Sequence, residues 1–193
     1  MKRNTKKEHF LAVALKLIHH KGFKATTMRE IAKELNCEVA NVYNYVDSKQ
    51  SLLEEYLFVI QEEFHNALDR IIATENTAPE KLSLAISSYI QITARRPYEQ
   101  SILVNEWRNL KDLNLEEFIA RRKEYEAKFT AILKEGIDRK IFKNLNSKMT
   151  AQTILAVLRN LHNDFLHKEQ STNLLEIQEQ VLDFIFNGIS VNK

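Results

Sequence analysis

The chain has 193 residues with a formal net charge of +2, and 44% of its residues are hydrophobic and 28% charged. It contains three glycines and two prolines, so tight hairpins are scarce and the composition favours a helical fold. The single cysteine, Cys37, excludes an intrachain disulfide, which fits a reducing cytoplasm. No apolar run reaches the roughly 18 residues of a membrane span, so we expect a cytoplasmic protein with no membrane partner.

The charge is unevenly distributed along the chain. Residues 1–50 contain ten Lys/Arg and five Asp/Glu, whereas residues 51–193 contain 18 basic and 21 acidic side chains. A basic N-terminal part, residues 1–50, followed by a mildly acidic body, residues 51–193, is typical of a phosphate-binding module joined to a body that does not bind nucleic acid. Four Lys/Arg among the first seven residues form a basic arm, which is either a solubilising tail or a further contact to DNA.

A helix-turn-helix pattern follows the first predicted helix, which ends at Gly22. Thr27, with Glu30 three residues later, forms a capping box that marks the start of the second helix. Asn36 tolerates a left-handed backbone and therefore marks the turn at the end of that helix. The apolar faces of the three helices consist of Phe10, Val13, Ala14, Leu17 and Ile18, then Met28, Ile31, Ala32 and Leu35, then Val39, Val42, Tyr43 and Val46.

The outward face of the third predicted helix differs from an ordinary solvated face. It carries Ala40, Asn41, Asn44 and Tyr45, which are small or neutral polar residues in place of the usual lysine and glutamate mixture. Asparagine bonds adenine edges in a bidentate way, and alanine or an aromatic ring can contact a thymine methyl. The face therefore predicts contact with bases in the major groove, and the alternative is a solvated helix in a bundle.

Longer amphipathic helices make up the rest of the chain. Thr77-Ala78-Pro79 marks a boundary, because proline is favoured at a helix start. The last two helices are apolar on more than one side, so they must bury a second face in a large core or against another chain. We expect the second outcome in a body of this size. The pattern predicts helices over residues 49–74, 79–95, 98–110, 115–140, 150–168 and 174–189.

Residues from about 10 to 57 resemble the DNA-binding domain of TetR-family transcriptional regulators. The resemblance rests, in chain order, on Lys21-Gly22-Phe23, Thr26-Thr27, Ile31-Ala32, Tyr43, Lys49 and Leu52-Leu53. The chain departs from the family pattern at three positions, but each replacement is compatible with the same geometry. These positions are Asn36, Glu38 and Val46, where a glycine, a small hydroxyl residue and a phenylalanine are frequent.

The resemblance implies an all-α fold of about nine helices. In this fold, a three-helix helix-turn-helix domain, residues 1–50, is joined by a long helix to a helical ligand-binding and dimerisation bundle, residues 51–193. It also implies phosphate contacts at Tyr43 and Lys49, to which the capped helix start adds Thr27. The residues expected at the dimer interface, on the last two helices, are Leu158, Leu161, Phe165, Val181, Phe184 and Ile185.

A small molecule bound in the body is a further implication of the resemblance. The candidate pocket residues, for which the alternative is plain helical core, are Phe64, Tyr89, Trp107, Tyr125, Phe129, His162 and Phe165. A fainter similarity to TetR-family regulators of acyl-CoA or sterol metabolism covers residues 105–108, 121–122 and 135–137. Candidates for an acidic group of the ligand, if they are not simply solvated, are Arg95, Arg96, Arg121 and Arg122.

We therefore expect a homodimeric transcriptional repressor that a small hydrophobic or amphipathic effector releases from a double-stranded DNA operator. A helical dimeric adaptor, or a DNA-binding regulator without a small-molecule ligand, is the alternative. An enzyme is disfavoured, because the sequence has no glycine-rich phosphate loop and no nucleophile elbow. His162, Asp164 and His167 do not share one helical face, so we expect no metal and no cofactor.

Overall fold

A computed structural model describes residues 2–166 and 173–191 of the chain. The all-α architecture predicted from the sequence is confirmed, and an isolated antiparallel bridge joins Phe142 to Ser190. A short 3-10 helix, Trp107–Asn109, lies between α6 and α7. The helices are α1 Lys2–Lys21, α2 Met28–Glu34, α3 Val39–Val42, α4 Lys49–Ile72, α5 Ala78–Arg95, α6 Pro97–Asn105, α7 Asp112–Asp138, α8 Ser147–Asn160, α9 His162–Leu166 and α10 Leu174–Ile189.

The chain folds as two compact units that both include part of α4. The first unit is Met1–Ile60 with Tyr98–Phe118, and the second is Gln61–Pro97 with Ile119–Lys193. The N-terminal unit therefore contains α6 and the start of α7 besides the helix-turn-helix motif. The boundary predicted after residue 50 lies at the end of the helix-turn-helix motif, and the structure instead adds residues 51–60 and 98–118 to this unit. A sequence pattern does not indicate that the distant segment 98–118 packs with the motif.

The core of the N-terminal unit is built from the apolar faces of α1 to α4. Phe10, Ile18, Ile31 and Val42 are almost fully buried, as their helical spacing predicted. Segment 98–118 adds Ile102, Leu110 and Phe118 to the same cluster. α6 is also attached to α1 by polar contact, because His19 Nδ1 lies 2.7 Å from Ser101 Oγ.

The core of the second unit is formed by the end of α4 with α5, α7, α8 and α10. A tight contact lies at the end of α7, where a Cβ at Gly136 would come within 2.2 Å of the Phe142 ring. The Gly136 carbonyl accepts bonds from both the Ile141 and Phe142 amides, which turns the chain at this point. The main buried side chains of this unit are Phe64, Leu82, Ile86, Phe129, Leu133, Leu155, Leu158 and Ile185.

The start of α5 follows its sequence signal closely, whereas one long predicted helix is divided in the structure. Thr77 and Glu80 form a capping box at the start of α5, next to Pro79. The helix predicted over residues 150–168 is divided at Leu161, where α8 ends and α9 begins. Its expected last residues, 167 and 168, lie outside the described part of the chain.

Candidate nucleic-acid interface

The start of α2 is fixed by a complete capping box. The Glu30 amide donates to Thr27 Oγ1 at 3.2 Å, and the Thr27 amide donates to Glu30 Oε2 at 2.9 Å. Lys21 Nζ lies 2.8 Å from Glu30 Oε1, and bonds from Lys21 and Thr27 lower the pKa of the Glu30 carboxyl to about 2. The predicted cap is confirmed, and the exposed Thr27 remains at the solvent side of this helix start.

The turn between α2 and α3 has the left-handed backbone that the sequence predicted. Asn36 has a φ of 50°, and the Cys37 amide donates to the Ala32 carbonyl at 3.0 Å. Cys37 is half-buried and packs against the core of the N-terminal unit, which agrees with a packing role. This turn sets the direction in which α3 leaves α2.

α3 presents the uncharged polar face expected from the sequence. Val42 is fully buried, and this anchors a helix of four residues that could not be stable alone. Ala40 and Asn41 are exposed on its outer side, Asn44 is exposed in the turn that follows, and none of the three has a charged side chain. The predicted base-reading positions on this helix are thus accessible in the described structure.

The two tyrosines after α3 have the opposite environments from those predicted. Tyr43, which the helical pattern places in the apolar set of the third helix, is 51% exposed. Tyr45, assigned to the outward face, is half-buried, and its ring stacks on Phe10 at 5.3 Å. The cause is that α3 ends at Val42 and continues as a tighter turn, in which the Tyr45 amide bonds the Val42 carbonyl at 3.0 Å. Residues three apart eclipse in such a turn, so Tyr45 follows buried Val42 inward.

Lys49 is engaged inside the protein in this structure. Its Nζ donates to the carbonyls of Phe23 and Thr26, both at 2.6 Å, and to that of Lys24 at 3.3 Å. The same ammonium lies 4.5 Å from the centroid of the Phe23 ring. An ammonium has three donors, so these carbonyls use its capacity, and the geometry favours a role in holding the α1–α2 loop over the predicted phosphate contact.

A surface cleft of about 500 Å³ lies beside α3. It brings Asn41 and Asn44 together with Lys6 and His9 of α1. The sequence predicts either a solubilising tail or a further DNA contact for the basic arm that contains Lys6, but it does not place His9 beside α3. The available signal was the spacing of Lys6, His9 and Phe10, because residues three and four apart share a helical face. A lysine, a histidine and two amides therefore occur on one concave surface of the N-terminal unit.

The second unit brings three of the predicted pocket residues into one aromatic cluster. Phe64 and Tyr89 stack with centroids 4.3 Å apart, and Tyr125 lies 6.4 Å and 6.5 Å from them. Burial strongly raises the pKa of the Tyr125 phenol. The space between these rings and their neighbours, about 160 Å³ in all, is too narrow to admit a water-sized sphere.

The other four pocket candidates are not part of this cluster. Trp107 belongs to the N-terminal unit, where it stacks on Phe118 at 5.8 Å. His162 is buried, with Nδ1 2.7 Å from the Arg159 carbonyl, so it has the role of a hydrogen-bonded interior histidine. Phe129 is fully buried, and Phe165 is half-buried, without lining the space between the three rings.

The predicted dimer residues fall into two groups. Leu158 and Ile185 are buried in the chain's own core, at 0% and 5% exposure, so they are poorly placed to contact a second copy. A helix that is apolar on more than one side can bury its second face in the core of the same chain, and Leu158 and Ile185 follow this alternative. By contrast, Phe184 is 73% exposed on α10. Leu161, Phe165 and Val181 are half-buried.

Within residues 2–166 and 173–191, each helix is too short or too polar to span a membrane. The same ranges hold no group of three or more His, Cys, Asp or Glu side chains placed to bind a metal ion.

A capped α2, a left-handed turn and an anchored α3 with an accessible amide face define a helix-turn-helix DNA-binding protein. Comparison with family models agrees with this class and also matches most of the rest of the chain. Residues 10–56 match the model for bacterial regulatory proteins of the tetR family, and residues 75–189 match the tetracyclin repressor-like C-terminal domain. The chain belongs to the TetR family of transcriptional regulators.

Two characterised relatives are similar in sequence. The transcriptional repressor KstR2 of Mycolicibacterium smegmatis is 26% identical over 134 residues, which span 69% of this chain and 65% of that protein. The fatty acid metabolism regulator protein of Bacillus subtilis is 23% identical over 180 residues, or 91% of each chain.

Solved structures share the fold over nearly the whole chain. The ketosteroid transcriptional regulator KstR2 of Mycobacterium tuberculosis superposes with a TM-score of 0.90 at 17% identity, covering 97% of this chain and 96% of that chain. AibR, in complex with isovaleryl coenzyme A and operator DNA, superposes with a TM-score of 0.76 at 20% identity, covering 94% and 96%. At these identities the similarity establishes the fold.

Proposed function

We propose that this protein is a homodimeric DNA-binding repressor whose release from its operator is controlled by a small hydrophobic or amphipathic effector in the cytoplasm. The observation that carries the proposal is the accessible, uncharged polar face of α3, held outward by buried Val42. Its asparagine amides carry the donors and acceptors that match base edges, and no charged side chain occupies the face.

In this proposal, Asn41 and Asn44 read bases, and Ala40 gives a small apolar contact in the major groove. The exposed Tyr43 hydroxyl and Thr27, at the start of α2, are the proposed phosphate contacts. Tyr45 and Lys49 act indirectly, because Tyr45 packs on Phe10 and Lys49 holds the loop before α2. Lys6 adds a positive charge to the cleft beside α3, and His9 adds a polar ring to it.

Dimerisation is supported by large apolar side chains that remain exposed on α8 and α10. Met149 and Leu175 are 67% and 65% exposed, and Phe184 is 73% exposed. Burying such side chains against a second copy contributes roughly 1.5–3 kcal/mol for each one that is fully covered. A dimer also places two reading helices at a fixed spacing, which operators with two half-sites require.

An effector is supported by the aromatic cluster of the second unit and by two similar proteins. The Bacillus subtilis relative is named as a fatty acid metabolism regulator, and AibR binds isovaleryl coenzyme A. A ligand shifts DNA binding only when it prefers one arrangement of the protein, so entry between tightly packed rings would couple binding to a change in shape.

Selection of duplexes from a random library, followed by fluorescence anisotropy over a range of salt concentrations, tests the proposal. A reader of duplex DNA should enrich a two-part sequence and lose affinity steeply as salt increases. No enrichment and no dependence on salt would favour the helical adaptor. Enrichment without release by any amphiphile would favour a regulator that has no small-molecule ligand.

A further inference from the structure

The cleft beside α3 has the size of a small-molecule site. Its volume of about 500 Å³ lies within the range of roughly 300–1,000 Å³ that such sites occupy in proteins. All of its described lining residues belong to the N-terminal unit. By contrast, the space between the aromatic rings of the second unit is too narrow to admit a water-sized sphere. A preformed cavity is therefore present in the unit that carries the helix-turn-helix motif.

Part of the cleft lining is apolar and aromatic. Phe10 is 1% exposed, and its ring stacks on that of Tyr45 with centroids 5.3 Å apart and 20° between the planes. Leu35 and Cys37 are half-buried and add two smaller apolar side chains to the lining. Contact between aromatic rings is favourable beyond the burial of their surface, so this lining favours a ligand with an aromatic ring.

The rest of the cleft lining is polar and suits an anion. Its members, which are all exposed and all carry N–H donors, are Lys6, His9, Asn41 and Asn44. Among the described lining residues there is one lysine and no aspartate or glutamate. A carboxylate beside Lys6 gains a charge-assisted hydrogen bond, whereas a cationic ligand is repelled. An apolar, aromatic lining with a lysine and several donors matches the two halves of an aromatic carboxylate.

We propose that the cleft binds a small aromatic carboxylate and that the bound molecule competes directly with DNA. The competition follows from the lining, because a molecule in the cleft covers the amides of Asn41 and Asn44, the proposed base-reading residues. This half of the inference rests on the proposed function. Binding of the carboxylate does not, because the cleft and its lining are present whether or not α3 reads bases.

Cys37 provides a reporter for occupancy of the cleft. It is the single cysteine of the chain and lines the cleft, so the rate at which iodoacetamide alkylates it depends on access to this surface. Mass spectrometry of the full chain, without DNA, measures this rate in the presence of 2-naphthoate or of 2-naphthamide, its uncharged analogue. We expect 2-naphthoate to slow alkylation, with half of its effect at a concentration roughly tenfold lower than the amide needs.

Two neighbouring lysines of α1 give a matched pair of variants. Lys6→Gln should remove the difference between the two probes, because it removes the charge from the cleft lining. Lys7→Gln removes the same charge from the next residue, which pairs with Glu55 at 3.3 Å, and it should keep the difference. Protection that arises from binding between the rings of the second unit would not depend on Lys6. No slowing by 2-naphthoate, equal effects of the two probes, or an unchanged difference in Lys6→Gln would overturn the site.

A DNA titration then tests the competition. Fluorescence anisotropy with a selected duplex should show an apparent Kd that rises in proportion to the concentration of 2-naphthoate once the cleft is saturated, and Lys6→Gln should weaken this dependence. Protection of Cys37 with unchanged DNA affinity would overturn the competition and leave the site and the repressor proposal standing. A chain that binds no duplex would overturn the repressor proposal and the competition together, while alkylation of Cys37 would still decide the site.

Discussion

Replacement of Lys49 by methionine tests whether this residue holds the α1–α2 loop or contacts DNA. Lys49→Met keeps most of the side-chain length but removes the ammonium, which donates to the Phe23 and Thr26 carbonyls at 2.6 Å. Net values for bonds to charged groups are about 1.5–3 kcal/mol each. Because Lys49 is only half-buried, we expect a total loss of about 2 kcal/mol, at the low end of that range.

For a chain of this size, this loss lowers the melting temperature by about 4–8 °C. Differential scanning calorimetry without DNA measures it, and Lys33→Met is a matched control, because Lys33 is exposed on α2. DNA affinity should fall for all sequences alike, through displacement of α2. An unchanged melting temperature, together with a salt-dependence slope reduced by about 1, would refute the loop role and restore the phosphate contact.

Two further predictions concern stability. Gly136→Ala should lower the free energy of unfolding by about 1–3 kcal/mol, because its Cβ would overlap the buried Phe142 ring. Gly188→Ala, with open space around it on α10, should raise the free energy of unfolding by about 0.5–1 kcal/mol. Urea unfolding compares the two variants, and equal effects would contradict the packing. His65 donates from Nε2 to the Arg121 carbonyl, and burial is the main cause that lowers its pKa from 6.5. The unfolded chain therefore takes up a proton first as pH falls, so stability should decrease below about pH 6.5. His65→Gln should remove this part of the pH dependence of the urea unfolding midpoint. An unchanged pH profile in that variant would contradict the role of His65.

Local signals predicted the start and the turn of the helix-turn-helix motif. Thr27 and Glu30 form their capping box, and Asn36 adopts a left-handed backbone, because the groups that stabilise these features lie within a few residues of one another. The environments of Tyr43 and Tyr45 were not predictable in this way. The helical pattern of the sequence continues to Val46, whereas α3 ends at Val42, so the pattern places the two tyrosines wrongly.

Contacts between distant segments account for the remaining differences between the sequence predictions and the structure. Lys49 bonds carbonyls more than 20 residues earlier in the chain, and no local pattern indicates this. Trp107 is a large aromatic residue of the kind that lines pockets, but it lies in segment 98–118, which packs with the N-terminal unit. Arg159 of α8 pairs with Glu126 of α7 at 2.6 Å, and no local pattern indicates this contact between helices.

The most direct test of the central claim is the ratio of affinities for a selected duplex and for a scrambled duplex of the same length, measured by fluorescence anisotropy. The wild-type chain should prefer the selected duplex, and Asn41→Ala and Asn44→Ala should each reduce this preference by about 1–3 kcal/mol where the base contact is bidentate. Affinity for the scrambled duplex should remain unchanged in both variants. Equal weakening for both duplexes, or a wild-type chain that does not distinguish them, would contradict base reading by α3.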